Sequence, residues 1–130
     1  MPKKTEKTPA QKTITIVKKG RIYITATFNN TLATVTDQEG NVLAWASSGT
    51  AGFSGARRAT PYAATKTVTQ LLEKLEKYET RELEVYLAGA GSGREAGLRA
   101  LKSSGIKLSL IADITPLPHN GVRPKKKRRI

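Results

Sequence analysis

Between Ser47 and Ala59 the chain places Gly49, Gly52 and Gly55 at three-residue intervals, with Thr50 and other hydroxyls between them, Phe53 near the centre and Arg57-Arg58 at the end. Backbone N–H groups bared by glycine, hydroxyls and guanidinium forks are all groups that bind phosphate. A helix beginning just after them adds unpaired N–H groups and the positive end of its dipole. The chemistry expected of this loop is phosphate or ribose recognition, with Phe53 at the surface to stack on a base. A plain strand-to-helix connection needs neither Phe53 nor the two arginines.

A second glycine cluster, Gly89-Ala90-Gly91-Ser92-Gly93, stands between an expected strand and an expected helix. It has the outline of a dinucleotide-binding turn, and Asp113 lies near the spacing of a ribose-binding acid. This is the strongest enzymatic reading. Position 94, where the third fingerprint glycine belongs, is Arg94, no Walker lysine follows, and the chain is too short for a second mononucleotide half. A tight turn closed by a Ser92–Glu95 capping box accounts for the same residues. Gly91, Ser92 and Arg94 are therefore candidates for nucleic-acid contact rather than for holding a cofactor.

Hydrolytic chemistry finds little support. The acids Glu73, Glu76, Glu79, Glu82 and Glu84 gather on an expected helix face and the turn behind it, where they look like solvated charges, with Glu73 spaced to pair with Lys77. A metal-dependent nuclease of ribonuclease H-like fold needs carboxylates converging from the sheet, and the first strand has none. His119, the one histidine, sits in a Pro-His-Asn-Gly context where RNA contact or simple exposure is expected. The absence of cysteine excludes a disulfide scaffold, a thiolate zinc site and a thiol nucleophile, and fits a reducing compartment. No metal, cofactor or small-molecule substrate is expected.

The net charge of +13 and pI near 10.3 call for a polyanionic partner: RNA, DNA or an anionic membrane. Nearly all of the excess lies at the two ends. Lys3, Lys4, Lys7, Lys12, Lys18, Lys19 and Arg21 stand near the start, and Arg123, Lys125, Lys126, Lys127, Arg128 and Arg129 near the finish, while the middle is close to neutral. A folded body with two cationic arms results, the arms expected to lack fixed structure until they bind. No apolar run reaches membrane-spanning length, and no secretory leader is expected.

These residues must be positioned by a fold, and its punctuation is local. Ile22, Ile24, Ala26 and Phe28 alternate with Tyr23, Thr25 and Thr27, which predicts a strand over Arg21–Phe28. Asn29-Asn30 turns it into Thr31–Thr36, and Asp37-Gln38-Glu39-Gly40 leads into Val42–Ser47, whose Trp45 is expected in the core. Thr60-Pro61 opens a helix with Ala64, Val68, Leu71, Leu72, Leu75 and Tyr78 on one stripe. A strand over Glu82–Ala88 follows, then a helix from Ser92 to about Ser104, closed by Gly105 with a Leu101–Ile106 contact, and a last strand over Lys107–Ile114. Pro116, Pro118 and Pro124 keep the remainder extended. The order β-β-β-α-β-α-β predicts one α/β (α+β) domain over residues 21–115, a mixed sheet of ribonuclease H-like topology with two helices packed on its faces. A basic extension (1–20) and a Pro-rich basic tail (116–130) flank it.

Phe28-Asn29-Asn30-Thr31, the stretch from Ala46-Ser47-Ser48-Gly49 through Gly52-Phe53 to Arg57-Arg58-Ala59-Thr60-Pro61-Tyr62-Ala63-Ala64, Gly89-Ala90-Gly91-Ser92-Gly93-Arg94 and the ending Pro118-His119-Asn120-Gly121-Val122-Arg123-Pro124 closely resemble the bacterial form of the eleventh small-subunit ribosomal protein family. The resemblance covers nearly the whole chain. It departs at Val122, where many members carry Cys, and at Lys125, where a second Pro is common.

The resemblance implies a non-enzymatic constituent of the small ribosomal subunit. Its place would be on the platform, bound to small-subunit (16S) ribosomal RNA, near the messenger path upstream of the decoding site, supporting assembly and translation. The partners implied are the platform proteins numbered six, seven, eighteen and twenty-one. The implied RNA contacts are Asn29, Asn30, Thr31, Gly49, Thr50, Gly52, Phe53, Gly55, Arg57, Arg58, Gly91, Ser92, Arg94, His119, Asn120, Arg123 and the basic run from Lys125 to Arg129. The Asn120-Gly121 pair is also a succinimide-prone sequence, and the family is associated with isoaspartate there. A cytoplasmic ribosome is expected, a chloroplast one stays open, and the alternative from another class is a basic nucleic-acid packaging protein.

Overall fold

The computed structural model of the protein describes residues 16–127; Lys3, Lys4, Lys7 and Lys12 of the basic extension and Arg128 and Arg129 of the tail lie outside the described residues. Strand β1 covers Lys19–Ala26, starting and ending two residues earlier than the alternation predicts. Ile22, Ile24 and Ala26 are fully buried, but Phe28 is 79% exposed. The turn takes Thr27 and Phe28 out of the strand: Thr27 Oγ1 accepts the backbone N–H of Asn29 and Asn30, and Thr27 N–H donates to the Asn30 carbonyl.

β2 (Thr31–Thr36), β3 (Val42–Ser47) and β4 (Glu82–Ala88) have the predicted limits. The Asp37 carboxylate organises the β2–β3 turn by accepting the N–H groups of Glu39 and Asn41, each at 2.9 Å. Helix α1 spans Pro61–Leu75 and runs on as a 3-10 turn over Glu76–Tyr78; α2 spans Gly93–Ser103 and β5 Lys107–Asp113. Thr60 caps α1 as expected, its Oγ1 accepting Ala63 N–H at 3.2 Å.

The sheet order is β3-β2-β1-β4-β5, with β1 antiparallel to β2 and parallel to β4. The two parallel crossovers, β3 to β4 through α1 and β4 to β5 through α2, step in the same direction along the sheet. Since such connections are right-handed, both helices must fall on one face. They do, packing against each other rather than being shared between the two faces. Between helices and sheet lie Ile22, Ile24, Val35, Val68, Leu71, Leu75, Leu83, Val85 and Leu101, each worth roughly 1.5–3 kcal/mol when fully buried.

The other face of the sheet is uncovered among the described residues. Pairing sets Trp45, Thr34, Tyr23, Tyr86 and Ala112 in one row across it, with Tyr23 and Tyr86 stacked at 5.1 Å. Trp45 is thus 56% exposed and not in the core, because Ala44 and Ala46 take the helix-facing positions of β3. Along the outer edge of β3, Lys74 Nζ donates to the Trp45 carbonyl at 2.9 Å and Tyr78 Oη to the Leu43 carbonyl at 3.4 Å.

Two charge expectations change as well. Glu82 and Glu84 are not solvated-face charges: they pair across the β1–β4 seam, Lys19 reaching both at 3.5–3.6 Å and Arg21 reaching Glu84 at 3.3 Å. Glu73 and Lys77 form no ion pair among the described residues; Lys77 lies over the Tyr78 ring instead.

Candidate nucleic-acid interface

In this topology β1, β3, β4 and β5 point the same way, so whatever follows each of them emerges at one end of the sheet. The hairpin tip Thr27–Asn30 follows β1, the Ser47–Ala59 loop follows β3, the glycine turn follows β4 and the tail follows β5. Segments remote in sequence are tied together there. Ser48 N–H donates to the Thr31 carbonyl, Gly91 N–H to Ala26, and Gly89 N–H to Thr115 Oγ1 at 3.1 Å. Ser92 Oγ donates to the Ala59 carbonyl at 2.8 Å.

The Ser47–Ala59 loop is braced rather than loose. Ser48 is fully buried, its hydroxyl 3.4 Å from that of buried Thr67 on α1. Thr50 Oγ1 accepts Ser47 N–H at 2.8 Å, and Gln70 Nε2 donates to the Thr50 carbonyl. Gly49, Gly52, Gly55 and Arg57 remain exposed. Arg58 is half-buried, its Nε donating to the Gly55 carbonyl at 3.2 Å within the 3-10 turn Gly55–Ala59. The loop therefore offers backbone and, in Arg57, a guanidinium with no ion-pair partner among the described residues, on a fixed scaffold.

The glycine turn is built for proximity. A methyl group on Gly91 would overlap the Thr27 carbonyl oxygen and lie 2.7–2.8 Å from carbonyl carbons of Thr27 and Ala26; one on Gly93 would strike Thr31 Oγ1 and stand 2.9 Å from Ala64 Cβ. Gly91 and Thr31 are both buried. Of these expected contacts, Thr31 turns its side chain under α2, and Gly91 turns its N–H inward. Ser92 does not close a capping box: it is helical in backbone and makes no cap bond, because its hydroxyl is spent on Ala59. Arg94 donates to the Gly89 carbonyl at 3.0 Å and pairs with Asp113 at 2.9 Å. Asp113 also accepts Thr115 Oγ1–H and N–H, and these bonds, with the Arg94 guanidinium, hold its carboxyl well below the usual carboxylate range. Asp113 is thus a bracket for the start of the tail rather than a ribose acid.

From Pro116 onward every described residue is exposed, including His119, Asn120, Arg123, Lys125, Lys126 and Lys127. Asn120 is left-handed, with φ 58°. At the hairpin tip Asn29 is exposed, whereas Asn30 spends its Oδ1 on Thr31 N–H at 2.8 Å. Among the described residues no group of His, Asp and Glu could hold a metal ion, and no helix is long and apolar enough to cross a membrane.

The family model described as Ribosomal protein S11 matches residues 20–129, which takes in the sheet, both glycine segments and most of the tail. The chain belongs to the ribosomal protein S11 family. Two relatives named "Small ribosomal subunit protein uS11", from Caldicellulosiruptor saccharolyticus and Caldicellulosiruptor bescii, are each 49% identical over 114 residues, 88% of this chain and 88% of their own length.

Within this S11-family fold, two surface aromatics stand out that residue types alone did not single out. Tyr62 is 62% exposed, packs edge-on against half-buried Phe53 at 5.7 Å and carries Lys66 Nζ 5.4 Å from its ring. The open ring face beside Arg57 and Arg58 is thus that of Tyr62 more than of Phe53. The signal was present: Tyr62 and Lys66 are four apart on the helix face opposite Ala63, Ala64 and Val68. Phe28, at the hairpin tip, is the other; the alternation placed it in the strand, and the turn built on Thr27 takes it out.

Proposed function

We infer that the chain is a structural, non-enzymatic constituent of the small ribosomal subunit that binds small-subunit ribosomal RNA with the loop end of its sheet. The observation that carries this reading is the convergence there of two glycine segments, a hairpin tip and a cationic tail, in a member of the ribosomal protein S11 family. Arg57, Arg58 and the Arg123–Lys127 run neutralise phosphates. Exposed Gly49, Gly52 and Gly55 let the RNA backbone approach closely. Tyr62 and Phe28 offer rings to unpaired bases, and selectivity comes from folded RNA shape rather than duplex base edges. Arg94, Ser92 and Asn30 act chiefly by fixing the end's geometry.

The finer reading is a place on the platform of a cytoplasmic ribosome near the messenger path, beside the proteins numbered six, seven, eighteen and twenty-one. The body runs from the start of β1 at Lys19 to residue 115, with the residues before β1 and residues 116–130 as arms. The left-handed Asn120 before Gly121 is an isoaspartate site in this reading; tryptic mass analysis finding only Asn would remove it.

Binding to small-subunit ribosomal RNA and to random duplex DNA, across a salt series, with and without residues 119–130, tests the function. The truncation removes six Lys and Arg residues, so the slope of log affinity against log salt should fall by up to about 4 on single-stranded RNA and about 5 on duplex DNA. The full chain should keep its preference for the ribosomal RNA against DNA competitor. Equal affinity for both would leave a general polyanion binder of the packaging kind.

A further inference from the structure

At the end of the molecule opposite the converging loops, the last turns of α1, the 3-10 turn and the approach to β4 meet the residues following α2 around an open groove of about 530 Å³. Leu72, Leu75 and Ile106 supply an apolar floor, and Thr80, whose Oγ1 is buried without a partner among the described residues, stands in its wall. Glu73, Glu76 and Glu79 form the rim with a single cation, Arg81. Glu79 holds a left-handed backbone, φ 53°, at a position after a helical turn where glycine is the usual residue, and so adds a third carboxylate to that rim. None of these three glutamates is ion-paired among the described residues. They are three of only ten acids in a chain of net charge +13.

We propose that this groove docks a lysine- or arginine-bearing protein segment with an apolar anchor residue, supplied by another protein of the small subunit; this rests on the ribosomal reading above. The floor takes the anchor and the rim takes the cations, which is the complementarity the groove offers. Phosphate is the wrong partner, because the rim carboxylates repel it. A groove of this size has room for several side chains, as an extended segment would present. The chain then faces two ways: a cationic end toward RNA and an acid-rimmed groove toward basic protein.

Thr69 lines the groove and is exposed, so a photo-crosslinking variant, Thr69→benzoylphenylalanine, of the full chain is assembled into small subunits, purified by sedimentation and irradiated. The expected product is a crosslink to a Lys/Arg-bearing peptide of another small-subunit protein. With Glu73→Gln, Glu76→Gln and Glu79→Gln added, its yield should fall roughly tenfold while the chain still enters subunits. Crosslinks only to RNA, only to residues 1–15 of the same chain, or to a peptide lacking Lys and Arg would overturn the groove assignment, as would no crosslink or a yield indifferent to the three substitutions. A chain that never enters subunits would overturn the ribosomal reading and this proposal together.

Discussion

Gly91→Ala tests whether the glycine turn is a packing device. The new methyl group would meet backbone on every near side: the Thr27 carbonyl, and carbonyl carbons at 2.7 and 2.8 Å. Backbone cannot rotate away as a side-chain tip can, so the turn must lift off β1. Overpacking of this kind costs about 1–3 kcal/mol, and losing the 2.8 Å bond from Gly91 N–H to the Ala26 carbonyl adds about 1 kcal/mol. The expected loss is about 3 kcal/mol, a large fraction of the 5–15 kcal/mol typical of a domain. Gly49→Ala is the control: its nearest neighbour would be Ser47 Oγ at 3.6 Å, and it should stay within about 0.5 kcal/mol of the parent. Urea unfolding followed by circular dichroism reads both. With a slope of about 1.5 kcal/mol per molar, the Gly91→Ala midpoint should drop by about 2 M and that of Gly49→Ala should hardly move. Midpoints within about 0.5 M of each other would refute the close-packing argument.

Leu71, fully buried on the inner face of α1, should cost about 2–5 kcal/mol when replaced by alanine, in the same urea assay. Thr60→Ala removes the cap bond to Ala63 N–H and should cost about 1 kcal/mol. Ser92→Ala should leave the amide-exchange protection of α2 unchanged while raising exchange in the 3-10 turn that ends at Ala59, since the hydroxyl joins segments and caps nothing. Asp113 is held below its ordinary value of 3.8. Its stabilising effect on the tail bracket is therefore fully present above about pH 4 and lost as the pH falls further. A carboxyl NMR titration with its midpoint at or above 3.8 would contradict this.

Strand limits at Thr31–Thr36, Val42–Ser47 and Glu82–Ala88 were legible because alternation and turn residues act over a few positions, and Thr60-Pro61 marked α1 for the same reason. The side of the sheet that the helices would leave bare depends on the order of remote strands, so Trp45 gave no sign of its exposure. Ser92 illustrates the limit at the site. Its spacing to Glu95 satisfies a local rule, yet the Ala59 carbonyl, brought in by the fold, wins the hydroxyl. The glycines of the Gly89–Gly93 turn announced a close approach without saying to what; the answer is the chain's own backbone at Ala26 and Thr27. The cationic tail and the Gly49–Arg58 loop were visible as composition, and the exposure of Tyr62 could be read from the apolar stripe on the opposite face of its helix.

The middle strand of the sheet waits for a late partner. Ile22 in β1 pairs alongside Val85 in β4, and at ordinary elongation rates Val85 is added roughly 3–12 s after Ile22. During that interval the β1–β3 meander has already exposed its apolar side, and the Gly49–Arg58 loop has been made but has no wall to stand against. The last clasp of that loop end, Thr115 Oγ1 against Gly89 N–H, exists only once Thr115 has been made. A product terminated before Thr115 thus carries the cationic loop without the geometry that holds the loop end together.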